Sequence, residues 1–138
     1  PDAPEYVRSG ILTTLPHFSL EDRLATLGED VENLLAASRP DLAVIEQFFF
    51  GKNTKTAMKT AQARGVLLYV LRQQHIPIEH LTPLQIKSRL TGYGAADKQQ
   101  VQQIVMQRLR LKEIPQPDDA ADALAAALCV THSVPKTI

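Results

Sequence analysis

The sequence predicts an α/β protein, a mixed sheet flanked by helices, on three observations. Short apolar runs of strand length alternate with longer segments whose apolar residues recur at helical spacing. Pro, Gly and Ser punctuate the joints between them. One run, Leu42-Ala43-Val44-Ile45, is apolar throughout and ends in Glu46, the pattern of a strand covered on both faces. At 138 residues the chain makes one domain, long enough to bury a core.

Taken in order, Tyr6 to Thr14 is short, β-rich and bounded by turn residues, and reads as a strand. Ser19 stands as an N-cap with Asp22 three residues on, resembling a capping box, before Leu20, Leu24, Leu27, Val31, Leu34 and Leu35 recur on one helical face. That helix ends near Ser38, ahead of Pro40. After the Leu42 to Glu46 strand, Phe48-Phe49-Phe50-Gly51 makes a loop, and Thr54 to Gln74 has helical composition with Gly65 as its weak point. Ile76 to Leu81 reads as a further strand, Pro83 to Leu90 as a short helix with Pro in its first turn, and Gly92-Tyr93-Gly94 as a flexible hinge. Ala95 to Leu111 forms another helix, Pro115-Gln116-Pro117 stops it, and an Ala-rich helix runs from Asp118 or Asp119 to about His132. Strand, helix, strand, helix, strand and then helices is an α/β order with at least partly parallel pairing. The sheet is thin for such a layer, as though strands precede the chain's first residue.

Hydrophobic residues make up 44% of the chain and charged residues 22%, which excludes a disordered tail. The longest apolar stretch, Ala120 to Val130, is broken by Asp122 and falls well short of the roughly 20 residues a bilayer span needs, so no membrane association is expected. Cys129 is the single cysteine, and no basic-then-apolar leader opens the chain, which together point to the cytoplasm. Net charge is zero, yet residues 18–46 carry seven acids against two bases, and residues 51–112 carry eleven bases against Glu79 and Asp97. Segregation on that scale makes either a positive face for a phosphate backbone or ordinary solvated helix faces.

Three acids stand out. Glu46 ends a strand where open α/β sheets place their ligands, although a charge simply leaving the core would look the same. Asp119 and Asp122 lie three apart at the start of the last helix, where acids also complement the helix dipole. Should the three converge, they make a hard oxygen site for Mg²⁺ or Mn²⁺, and a pair of such ions about 4 Å apart stabilises both the attacking and the leaving oxygen of phosphodiester cleavage. Three carboxylates are few for two metals. His17, His75, His80, His132 and Cys129 lack metal-ligand spacing and read as structural, while Phe48, Phe49 and Phe50 are either core or a platform for an unpaired base. With no nucleophile elbow, phosphate loop or dinucleotide fingerprint, serine hydrolases and nucleotide-cofactor enzymes are excluded.

Ile45-Glu46-Gln47-Phe48-Phe49-Phe50-Gly51-Lys52-Asn53, Gln62-Ala63-Arg64-Gly65, Gln85-Ile86-Lys87, Thr91-Gly92-Tyr93-Gly94-Ala95-Ala96-Asp97-Lys98 and Asp119-Ala120-Ala121-Asp122-Ala123-Leu124-Ala125 follow one another in the order of the Holliday-junction resolvases. The chain resembles that RuvC family over about nine tenths of its length. The resemblance implies an RNase H-like fold spanning 1–138 as a single resolvase domain, a homodimer, and Mg²⁺-dependent nicking of four-way DNA junctions in recombination and repair, beside a branch-migration helicase complex. It implies Glu46, Asp119 and Asp122 as metal-binding catalytic acids, Lys87 and Lys98 as DNA-facing lysines, and Phe49 as the aromatic that stacks on a junction base. Lys52 and Arg64, within the matching blocks, are assigned to DNA as well. The family opens on a strand bearing Gly-x-Asp-Pro-Gly, whose Asp is a fourth ligand. No such motif occurs here, so the expected domain lacks its first strand, and a non-cleaving module that binds branched DNA is the competing expectation.

Overall fold

Ser19 ends an irregular opening segment by accepting a hydrogen bond from the Asp22 amide (3.1 Å), and helix α1 runs from there over Leu20–Ser38. The structure, a computed structural model, describes residues 3–47 and 54–131. After α1 come strand β1 (Ala43–Glu46), helix α2 (Thr54–Gln73), strand β2 (Ile78–Leu81) and helices α3 (Pro83–Thr91), α4 (Lys98–Leu109) and α5 (Asp118–Leu128). No helix among the described residues is long and apolar enough to cross a membrane.

The two strands are parallel. The Ala43 amide donates to the Pro77 carbonyl (2.9 Å) and the Gln47 amide to the Leu81 carbonyl (2.7 Å), so four residues of advance on one strand match four in the same direction on the other. A parallel pair requires a crossover, and α2 supplies it.

The described residues divide into two compact units, one of residues 12–43 and 54–78, the other of residues 3–11, 44–47 and 79–131. In the first, α1 packs on α2: Val31 and Leu35 are buried on one helix, Val70 and Leu71 on the other. Gly28 faces Val66 and Val70 across that contact. In the second, α3, α4 and α5 pack together over Leu81, Ile86, Val105 and the alanine face of α5, where Ala120, Ala121, Ala125 and Ala126 are all buried. Alanine on that face lets a helix backbone lie close to its neighbours, which brings its first turn to the end of β1.

Five expectations need correction. Tyr6 to Thr14 forms no strand, because among the described residues no neighbour completes its ladder; Tyr6, Val7, Ile11 and Leu12 stay exposed, Val7 by 85%. Among the described residues the sheet is therefore a parallel pair, with no antiparallel strand to make it mixed, and β1 is half-buried along its whole length. The capping box at Ser19 is half made, since the short Asp22 side chain does not return the bond. Helix α4 begins at Lys98, not at Ala95, because Asp97 and Gln100 form a reciprocal capping box there. Gly92-Tyr93-Gly94 is a packed turn and not a hinge: Gly92 closes α3 in the left-handed region (φ 75°), Thr91 Oγ1 accepts from the Tyr93 amide (3.0 Å), and a Cβ on Gly94 would stand 2.9 Å from Leu84 Cδ1.

Leu81 is 1% exposed and Met58, on α2, is 63% exposed. Leu81→Ala should therefore lower the free energy of unfolding by about 2–5 kcal/mol, and Met58→Ala by less than about 0.5 kcal/mol. Urea titrations followed by circular dichroism read both; equal costs would place the core elsewhere.

Candidate active site

β1 delivers Glu46 to the C-terminal edge of the sheet, where the Gln47 amide closes the ladder one residue later. Leu81, which accepts that bond, is followed at once by Thr82, the N-cap of α3. Thr82 and Gln85 exchange hydrogen bonds as a capping box (3.2 and 2.9 Å), and Pro83 occupies the first turn. Ile86 is buried on the inner face of α3, and the next residue, Lys87, is half-buried toward the end of β1. The Asp97 cap sets Lys98 as the first residue of α4. α5 opens with Asp118 and Asp119 and carries Asp122 one turn further in.

These elements enclose a cleft of about 250 Å³ in which Glu46, Lys87, Lys98 and Asp122 meet over apolar walls of Pro83, Ile86, Val101 and Ala125. Two larger clefts, about 600 and 470 Å³, are walled by the opening segment with residues 109–111 and by the glutamines of α4. The first holds one acid and one base, Glu5 and Arg110, and the second a single acid, Asp97; only the smaller cleft gathers two carboxylates and two ammonium groups, so chemistry and not volume selects it.

Burial raises the Glu46 pKa, and the charge of Asp122 raises it further; the ammonium of Lys87 pulls it back, and Asp119 adds a last upward push. Lys98 is tied to Asp118, Nζ to Oδ2 at 2.8 Å, and that hydrogen bond raises its pKa, with Asp122 and Asp119 acting in the same direction.

The structure thus brings together Glu46, Asp122, Lys87 and Lys98. Asp119 is exposed in the first turn of α5, outside the cleft lining, and reaches Glu46 through its field. Among the described residues no group of three or more His, Cys, Asp and Glu side chains is gathered as a metal cluster. Arg64 lies on α2, in the other unit. Phe49 and Lys52, and with them the expected aromatic loop, lie outside the described residues, as does His132. Cys129 is a packed thiol, 3.3 Å from the Ala125 carbonyl, and burial pushes its pKa up, the setting of an unreactive structural cysteine. Sequence reasoning missed one member of the site. In the sequence Asp118 marks only a start of the last helix; Pro117 is the N-cap, with no side-chain bond, and the Asp118 carboxylate goes to Lys98.

Residues 2–132 match the family model of crossover junction endodeoxyribonuclease RuvC. The chain belongs to the RuvC family. It is 48% identical over 129 residues to the crossover junction endodeoxyribonuclease RuvC of Roseiflexus sp. (strain RS-1), covering 94% of this chain and 77% of the relative. It is 46% identical to that of Fusobacterium nucleatum over 89% of this chain and 64% of the relative, and 45% identical to that of Thermosipho melanesiensis over 91% and 80%. Among solved structures, Thermus thermophilus RuvC in complex with Holliday junction substrate superposes with a TM-score of 0.87 at 31% identity, over 94% of this chain and 78% of that one. Thermus thermophilus RuvC alone gives 0.84 at 31% identity, over 91% and 75%. The family resemblance drawn from the motif blocks is borne out.

The raised Glu46 pKa has a consequence for stability. A carboxyl whose folded-state value lies above its unfolded value takes up a proton on folding between the two, so the ionised group costs stability at neutral pH; the cost shrinks as pH falls through the folded value and is gone below the unfolded one. Glu46→Gln should raise the melting temperature at pH 7, and the gap should close near pH 4. Thermal melts at both pH values check it; a Gln variant less stable at pH 7 would reverse the sign.

Proposed function

We infer that this chain is a structure-selective endonuclease that nicks four-way DNA junctions in recombination and repair. The observation that carries the reading is the meeting of two carboxylates and two lysines at the end of a parallel strand, in a chain that superposes on a RuvC bound to its Holliday junction substrate.

The donor set fits a hard divalent cation. Glu46 and Asp122 offer oxygen ligands from facing elements, and their mutual repulsion, visible in the raised Glu46 pKa, is what a bound cation relieves. Glu46 and Asp122, with Asp119 beside them, would hold it. Mg²⁺ is our assignment and Mn²⁺ the close substitute. When bound, the ion supplies positive charge to the scissile phosphate. The protein's own groups do the rest. Lys87 and Lys98 bind backbone phosphate, and Ile86, Val101 and Ala125 shape the wall against which the strand is held.

A four-way junction has two strands to cut, and a homodimer would present one cleft to each. Phe49 would stack on an unpaired base, and Lys52 and Arg64 would extend the phosphate contacts. We place the chain with the RNase H-like folds as a single resolvase domain, acting in the cytoplasm beside a branch-migration helicase.

Two measurements test this. In a nicking assay on a four-way junction with Mg²⁺, Asp122→Asn should cut at least about 100-fold more slowly than the unsubstituted protein while binding the junction comparably. Binding without any cutting by the unsubstituted protein would instead favour the non-cleaving module. In titrations against salt, Lys87→Ala should flatten the slope of log affinity on log salt by about one; an unchanged slope would remove Lys87 from the phosphate contacts.

A further inference from the structure

Asp118 holds the first position of α5 yet caps nothing, since Pro117 is the N-cap and no side-chain capping bond is made. Its carboxylate reaches instead to the first residue of another helix, Lys98 of α4, at 2.8 Å. Lys98 in turn lines the cleft with Glu46 and Asp122. Both side chains are about half exposed, 53% for Lys98 and 55% for Asp118. An ion pair so open to water contributes little to stability. What it does change is position: a long, freely rotating lysine is held at the mouth of the cleft by an acid adjacent to Asp119.

The two cleft lysines differ in their charge partners. Lys87 acts on Glu46, deep in the cleft, whereas Lys98 is bonded to a carboxylate on the rim, outside the cleft lining. A phosphate entering the cleft has to compete with that carboxylate for the ammonium. An anion that displaces Asp118 keeps Lys98 where it already stands.

We propose that Asp118 is a positioning residue: it tethers Lys98 over the cleft in the free protein and yields it to a DNA phosphate when the junction binds. This rests on the reading of the cleft as the site of junction DNA. Exchange of one anion for another has a cost in affinity and in salt dependence, because the released carboxylate recovers a cation from solution and so offsets the cation that the DNA phosphate sheds. Removing the carboxylate should therefore strengthen binding, and only through Lys98.

The test is junction binding by fluorescence anisotropy across a salt series, on the unsubstituted protein, Asp118→Asn, Asp118→Glu, Lys98→Ala and the Asp118→Asn/Lys98→Ala double variant. Asp118→Asn should bind about 3–10-fold more tightly at low salt and steepen the slope of log affinity on log salt by about 0.5–1, with an unchanged melting temperature. Asp118→Glu, which keeps the charge, should restore ordinary binding. In the Lys98→Ala background, Asp118→Asn should be silent. The proposal is overturned if Asp118→Asn has no effect, or if its effect persists without Lys98, which would make it a general relief of negative charge. An unsubstituted protein that fails to bind the junction would overturn the functional reading itself and this proposal with it.

Discussion

A backbone hydrogen bond from the Gln47 amide to the Leu81 carbonyl, 2.7 Å long, governs where the charges of the site stand. It closes the parallel ladder one residue beyond Glu46, so the glutamate leaves the sheet from a strand held on both sides of it. It also fixes the carbonyl immediately before Thr82, whose capping box launches α3 and swings Lys87 toward the same point. Side chains alternate along a strand, so a slip of one residue in this pairing would turn Glu46 to the opposite face and leave Lys87 with no carboxylate to balance. The short sheet is the register mark from which the helices take their places.

On that frame the cleft sets like charges against each other. Desolvation and Asp122 both disfavour the ionised form of Glu46, and Lys87 offsets only part of this. Half-burial is a workable compromise: deeper burial would hold the carboxyl neutral and remove its use as a ligand, and full exposure would screen the field that draws in a cation. A site that sets like charges side by side in a half-buried cleft gives up some stability for function. The surrounding packing tolerates it because Leu81 and Val105, the two largest fully buried side chains among the described residues, lie in the same unit as the cleft.

How much of this was legible depended on whether the deciding interaction was local. Ser19, Thr82 and Asp97 act within one helical turn, and the helices they start can be read from spacing, although at Asp97 the box with Gln100 outweighed the helical look of Ala95 and Ala96. Glu46 was legible because a carboxylate ending an apolar run is a local pattern too. Tyr6 to Thr14 was misread because β-propensity needs a partner strand to become structure, and among the described residues none is there. Gly92 to Gly94 looked like a hinge because composition does not reveal that Leu84 and Ser88 pack against Gly94. The tie of Asp118 to the site was hidden for the same reason: its partner, Lys98, is twenty residues away in sequence.

The choice of cation is consistent with this division between fixed frame and working site. The ion pair that ties α3 to β2 uses an arginine, Arg89 Nη1 to Glu79 Oε1 at 3.0 Å. A guanidinium's rigid fork of donors suits a bond meant to stay made. Both cations in the cleft are lysines. An ammonium is a compact point charge on a flexible stem, able to leave one anion for another with little reorientation, and it contacts phosphate without demanding planar, two-point geometry. Arginine at position 98 would bind Asp118 through more than one donor and resist an incoming phosphate. The frame is held by groups that grip, and the cleft is lined by groups that exchange.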